Sequence, residues 1–147
     1  MHIRVQLYCL SELLQNSPEE KLTLKIIDEF IRDGQYKIKN EENSDGVLVG
    51  EIKNYIMIPI QYDANMIPTV YKITVYYSIK MIDRKTNTIL WEENTLVANQ
   101  IYSAPTLPGG MTEEQAREKL WDIIAKDTVK RTVEGFGSVT GVSSKKI

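Results

Sequence analysis

Residues 70–82, Val-Tyr-Lys-Ile-Thr-Val-Tyr-Tyr-Ser-Ile-Lys-Met-Ile, alternate in character from end to end. Ile73, Val75, Tyr77, Ile79 and Met81 fall on one face of an extended chain; Lys72, Thr74, Tyr76, Ser78 and Lys80 fall on the other. Side chains of a strand point to opposite faces in turn, so this segment calls for a sheet with one buried face and one face of different chemistry. A helix cannot satisfy such a pattern, because its apolar positions must recur every three or four residues.

The other segments fall into place around this strand. Residues 47–60 carry Val47, Leu48, Val49, Ile52, Tyr55, Ile56, Met57 and Ile58 before Pro59, which reads as one long strand. Gly50 inside it marks a bulge or a close approach by a helix. Asp83 to Thr88 has hairpin length, and residues 89–102 return as a strand with Leu90, Trp91, Leu96, Val97, Ile101 and Tyr102. Residues 2–9 also alternate, with Ile3, Val5 and Leu7 on one face. A short turn and a modest loop join the last three strands, so they should form an antiparallel meander. The first strand should reach them through a parallel crossover.

Two helices are expected. Ser17-Pro18-Glu19-Glu20 offers a cap, a proline suited to the first helical position and the glutamate of a capping box. Leu22, Ile26, Ile27, Phe30 and Ile31 then form one apolar stripe, and Gly34 should end the helix in a left-handed cap. Thr112-Glu113-Glu114-Gln115 opens the second helix in the same way. Ala116, Leu120, Trp121, Ile123, Ile124, Ala125 and Val129 give it a broad apolar face, and Gly135 should end it. The pattern predicts an α+β two-layer sandwich in the order β-α-β-β-β-α, with two helices on one face of a four-stranded mixed sheet. Residues 1–136 make a single domain and 137–147 a flexible tail.

Composition narrows function mainly by exclusion. The 147 residues carry a net charge of −2. That balance gives none of the clustered basic surface that nucleic acid requires. One cysteine, Cys9, and one histidine, His2, allow no internal disulfide and no ordinary zinc site. No apolar run approaches the ~18–20 residues needed to span a bilayer, and no signal-peptide pattern opens the chain. A cytoplasmic protein and an exported one whose leader lies outside this chain both fit.

The usual catalytic signatures are absent: no Gly-x-Gly-x-x-Gly, no P-loop, no Gly-x-Ser-x-Gly and no His-Glu-x-x-His. Glu41-Glu42, Glu92-Glu93 and Glu113-Glu114 are neighbours in sequence. General acid–base work needs carboxylates converging from different elements, and adjacent strand residues point apart. An enzyme is therefore not expected, and neither a cofactor nor a metal. The remaining signal is tyrosine, eight residues against two phenylalanines, with Tyr55, Tyr71, Tyr76 and Tyr102 on or beside strands. Tyrosine suits interfaces, having an apolar body and a polar tip. If both helices cover one face, a Tyr-bearing face stays open for a partner.

Four segments, in order, resemble a known family. Val47-Leu48-Val49-Gly50-Glu51-Ile52 with Tyr55 and Pro59 is similar to an apolar-Leu-x-Gly-x-Ile…Tyr…Pro strand. Val70 to Val75 is similar to a Tyr-Arg-apolar-x-Val strand, and Asp83 to Glu92 to an Asp-x-x-Thr-Gly-x-x-Leu-Trp hairpin. Glu113 to Val129 resembles the closing helix. The family is that of LptE. The resemblance covers roughly residues 2–134 and rests on order and spacing. It implies an outer-membrane lipoprotein facing the periplasm, held by a lipid anchor absent from this chain. It further implies docking inside the β-barrel LptD, binding of lipopolysaccharide and help in passing it to the outer leaflet.

Two departures accompany the resemblance. Gln6-Leu7-Tyr8-Cys9 lacks the small residue of a lipobox. Loops 60–69 and 102–111 contain no Lys or Arg, although basic residues there are part of what the family implies for glycolipid phosphates. The expected contact surface is the loop tips and the open sheet face, with Tyr62, Asn65, Met66, Ile67, Lys72, Tyr76, Tyr102 and Leu107 as partner-binding residues. An isolated chain should be monomeric. The rival expectation is a periplasmic adaptor of another secretion or cell-envelope system that binds protein only.

Overall fold

The computed structural model describes the backbone of residues 2–9, 18–38 and 44–142, and side chains for Val5 and within 20–38 and 44–134. Ser17 and the remainder of 10–17, and the end of the tail at 143–147, lie outside the described residues, as do the side chains of His2 and Cys9. The elements are β1 (His2–Cys9), α1 (Pro18–Asp33), β2 (Lys37–Ile38), β3 (Gly46–Tyr62), β4 (Pro68–Asp83), β5 (Thr88–Ser103) and α2 (Glu113–Val142).

The strands form one sheet in the order β2-β1-β3-β4-β5. β1 runs parallel to β3, with Ile3 opposite Gly46 and Cys9 opposite Ile52. The β3-β4-β5 meander is antiparallel. The sheet is therefore mixed, as the connections require. It also gains a two-residue edge strand, β2, parallel to β1.

Both helices pack on one face. Leu22, Ile26 and Phe30 of α1 meet Leu48 and Ile52 of β3, Ile73 to Met81 of β4, and Leu120, Trp121, Ile124 and Ala125 of α2 in one core. Lys21 pairs with Glu114 and Glu118, and Lys25 with Glu118 and Asp122. Residue numbers rise together along the two helices, so they run parallel. Ile31 is an exception to the predicted stripe: it is 66% exposed. At 100° per residue it has rotated past the contact with the sheet. Ile123 is likewise exposed on α2.

Local chemistry sets the ends. Gly34 holds φ 78° and its N–H returns to the Phe30 carbonyl at 3.0 Å, closing α1 as expected. Thr112 and Gln115 exchange side-chain bonds with each other's backbone N–H, at 3.1 and 2.9 Å, which starts α2. That helix continues past Gly135 to Val142. Gly135, Gly137 and Gly141 lie within this stretch, and each costs a helix only about 1 kcal/mol, too little for any one of them to end it.

A paired distortion shapes the middle of the sheet. Ile52 faces Tyr77 and Asn54 faces Tyr76, so Lys53 is an extra residue in β3. Tyr77 faces Leu96 and Ile79 faces Glu93, so β5 carries an extra residue at the same level. Both neighbours of β4 thus bulge together, and Lys53 Nζ donates to the Asn94 carbonyl at 3.1 Å. Bulges raise local twist and re-aim side chains. This pair divides the sheet into a proximal half beside β1 and a distal half of β3, β4 and β5 alone.

Candidate functional site: the bare sheet face

On β4 the alternation holds residue by residue: Ile73, Val75, Tyr77, Ile79 and Met81 are buried beneath the helices, while Lys72, Thr74, Tyr76, Ser78 and Lys80 take the opposite face. Register extends that face across the sheet. Ile58, Lys72 and Ile101 form one row; Ile56, Thr74 and Asn99 the next; Asn54, Tyr76 and Val97 a third. No described element covers these rows, and Ile56, Ile58, Tyr76, Val97 and Ile101 are all exposed. Thr74 Oγ1 donates to Asn99 Oδ1 at 2.8 Å, satisfying two polar groups within the patch. Five of these nine side chains are apolar or aromatic and exposed, a clustering on one face that marks a contact surface.

The proximal half of the same face differs. Val49, Glu51, Lys53, Ser78, Lys80, Glu92 and Asn94 line a shallow depression of ≈ 220 Å³. Lys80 stands opposite Glu92 in register. Charges here balance each other, which favours a solvated surface.

The distal edge carries the two tips. In the β3–β4 turn the Asp63 carboxylate accepts from the N–H of Asn65 at 2.8 Å and of Ile67 at 3.0 Å. Met66 is held at φ 63° and is 74% exposed. Ile60, Tyr62 and Ile67 are exposed beside it, and so is Leu107 in the β5–α2 connection. Neither tip, 63–67 or 104–111, contains a Lys or Arg.

Of the residues singled out from sequence, Tyr62, Asn65, Met66, Ile67 and Leu107 sit at these tips, and Lys72 and Tyr76 on the bare face. Tyr102 does not join them. It pairs with Tyr71 on the helix side, is 6% exposed, and stacks on the Tyr71 ring at 5.3 Å. Its hydroxyl lies 3.1 Å from Met57 Sδ. Sequence reasoning missed Ile56, Ile58, Val97 and Ile101 as surface residues. Their parity relative to β4 could have revealed them, had the bulge at Lys53 been legible.

The groups with the most displaced proton affinities are tyrosines bound to α2. Burial, then a bond to Glu113 at 2.7 Å, pushes the Tyr55 phenol far up. Burial, then a bond to Asp127 at 2.7 Å, does the same to Tyr77. Each acid also faces an arginine one turn on, Arg117 and Arg131. These pairs tie α2 to the sheet. Among the described residues, no group of three or more His, Cys, Asp or Glu side chains could hold a metal ion. No described helix is long and apolar enough to cross a membrane.

A two-layer α+β domain with one bare sheet face defines a class, and several bacterial lipoproteins share this fold. A protein from Xanthomonas campestris superposes with a TM-score of 0.64 at 11% identity, covering 99% of this chain and 88% of that one. A hypothetical protein from Chlamydia trachomatis gives 0.63 at 10% identity, covering 90% and 96%. The uncharacterised lipoprotein B of Nitrosomonas europaea gives 0.53 at 17% identity, covering 96% and 87%. No protein-family model matches the chain, and no curated protein matches its sequence.

Proposed function

We propose that this chain is the folded domain of a non-catalytic outer-membrane lipoprotein of the LptE kind. In this reading it faces the periplasm, docks inside the LptD β-barrel and assists lipopolysaccharide assembly and its passage to the outer leaflet. The observation that carries the reading is the distal bare face, where Ile56, Ile58, Val97 and Ile101 stay exposed while Ile73, Val75 and Tyr77 on the other face of the sheet are buried under the helices. Exposed tips at Met66, Ile67 and Leu107 extend the surface toward a wall that surrounds the domain. The order of motifs along the chain supports the LptE assignment, and the lipoprotein fold supports an envelope location.

Co-expression with the LptD of the same cell tests it. A complex that survives purification is expected, and Ile101→Thr should weaken it. Absence of a complex, under conditions where other such pairs co-purify, would sink the proposal. The cation-free tips favour a second reading, in which the domain is an adaptor of another envelope system and binds protein only. Lipopolysaccharide bound by the isolated domain would count against that second reading.

A further inference from the structure

Among the described residues, Lys72 is placed unlike the other cations of the bare face. It sits on β4, the middle strand of the distal half, between Ile58 on β3 and Ile101 on β5. The nine residues of the three distal rows include no acid. Lys72 makes none of the described ion pairs or side-chain hydrogen bonds. The proximal cations differ: Lys80 faces Glu92 in register, and Lys53 donates to the Asn94 carbonyl.

We infer that the partner seated on this face carries a carboxylate opposite Lys72, flanked by apolar side chains that meet Ile58 and Ile101. The argument is one of desolvation, and it rests on the docking reading above. A partner that covers both isoleucines also covers the ammonium between them. A cation removed from water without a counter-charge opposes association strongly. A Lys at a rim escapes by extending its head into solvent, but this one has a strand on either side. Among the described residues no acid supplies that counter-charge, so the partner is the source the inference assigns. An acid framed by apolar residues is also what distinguishes the true partner from other apolar surfaces.

The test measures affinity of the full chain for the same LptD barrel, at low and high salt, with Lys72→Gln, Lys72→Arg, Lys72→Glu and Ile101→Thr. Lys72→Gln should weaken binding by roughly tenfold or more and flatten the salt dependence. Lys72→Arg should bind much as the parent, and Lys72→Glu should fail until an acid of the barrel wall is changed to Lys. Equal urea midpoints for all four show that folding is unaffected. If Ile101→Thr weakens binding while the Lys72 variants bind as the parent, the face docks but the carboxylate is refuted. If the parent chain forms no complex, the docking reading falls and this inference with it. If the Lys72 variants alter binding to anionic phospholipid vesicles and not to the barrel, the occupant is a lipid surface and the inference is overturned.

Discussion

Met66 holds φ at 63°, a backbone region costing an ordinary L-residue about 1–2 kcal/mol. The Asp63 bonds hold the turn, while the exposed Met66 side chain adds little packing to offset the cost. Asparagine tolerates the same conformation through local hydrogen bonding. Met66→Asn should therefore stabilise the isolated protein by about 0.5–1 kcal/mol, read as a higher urea midpoint. If the tip meets the partner as proposed, the same change should weaken capture of it, because it removes an exposed apolar side chain. Tyr77 supplies the opposite case. Tyr77→Phe deletes its bond to Asp127, which keeps Arg131 at 2.8 Å, so the expected loss is about 1 kcal/mol. The phenols of Tyr55 and Tyr77 also set an alkaline limit. Folded, each holds its proton above the ordinary value of 10. Above that pH the unfolded chain loses protons that the folded chain keeps, so stability falls as pH rises. Their contribution is intact below pH 10 and declines upward from it. The double variant Tyr55→Phe/Tyr77→Phe should show a shallower decline between about pH 10 and 12 in urea titrations.

The elements were legible where a short period or a cap wrote them. The alternation of Lys72 to Met81 identified β4 and its two faces, and Gly34 and Thr112 marked a helix end and a helix start where the chain has them. Three features escaped because their cause lies elsewhere in the chain. β2 is only Lys37 and Ile38, and it exists through pairing with His2 and Ile3, which no local pattern records. The exposure of Ile31 follows from how α1 is rolled against the sheet. The paired bulges at Lys53 and opposite Ser78 reset parity in both neighbours of β4 at once, which hid the exposed apolar residues of the distal face. At this scale the capping box of α2 can be tested directly. Thr112→Ala removes the acceptor of the Gln115 N–H at the end of an otherwise continuous helix. A loss of about 1 kcal/mol is expected in thermal or urea unfolding, with the fold retained.

At the scale of the whole molecule, one sheet separates two environments. Ile73 and Ile101 stand on adjacent strands but on opposite faces, at 0% and 54% exposure. The helix side holds all the large side chains that are almost wholly buried, Trp121, Phe30 and Ile73 among them. The bare side contributes nothing comparable, because water already reaches its apolar groups. Area-based reasoning then gives unequal outcomes for changes of similar size. Ile73→Ala leaves a cavity beneath the helices and should cost about 2–5 kcal/mol. Ile101→Thr removes only solvent-exposed apolar surface and should shift stability by no more than about 0.5 kcal/mol. Binding should follow the reverse order once Ile73→Ala is compared under conditions where it remains folded. Urea midpoints and partner affinities measured on the same two variants decide the matter. If Ile101→Thr unfolded the domain, the bare face would belong to the core; if it left binding unchanged, the contact surface would have to be sought at the tips alone.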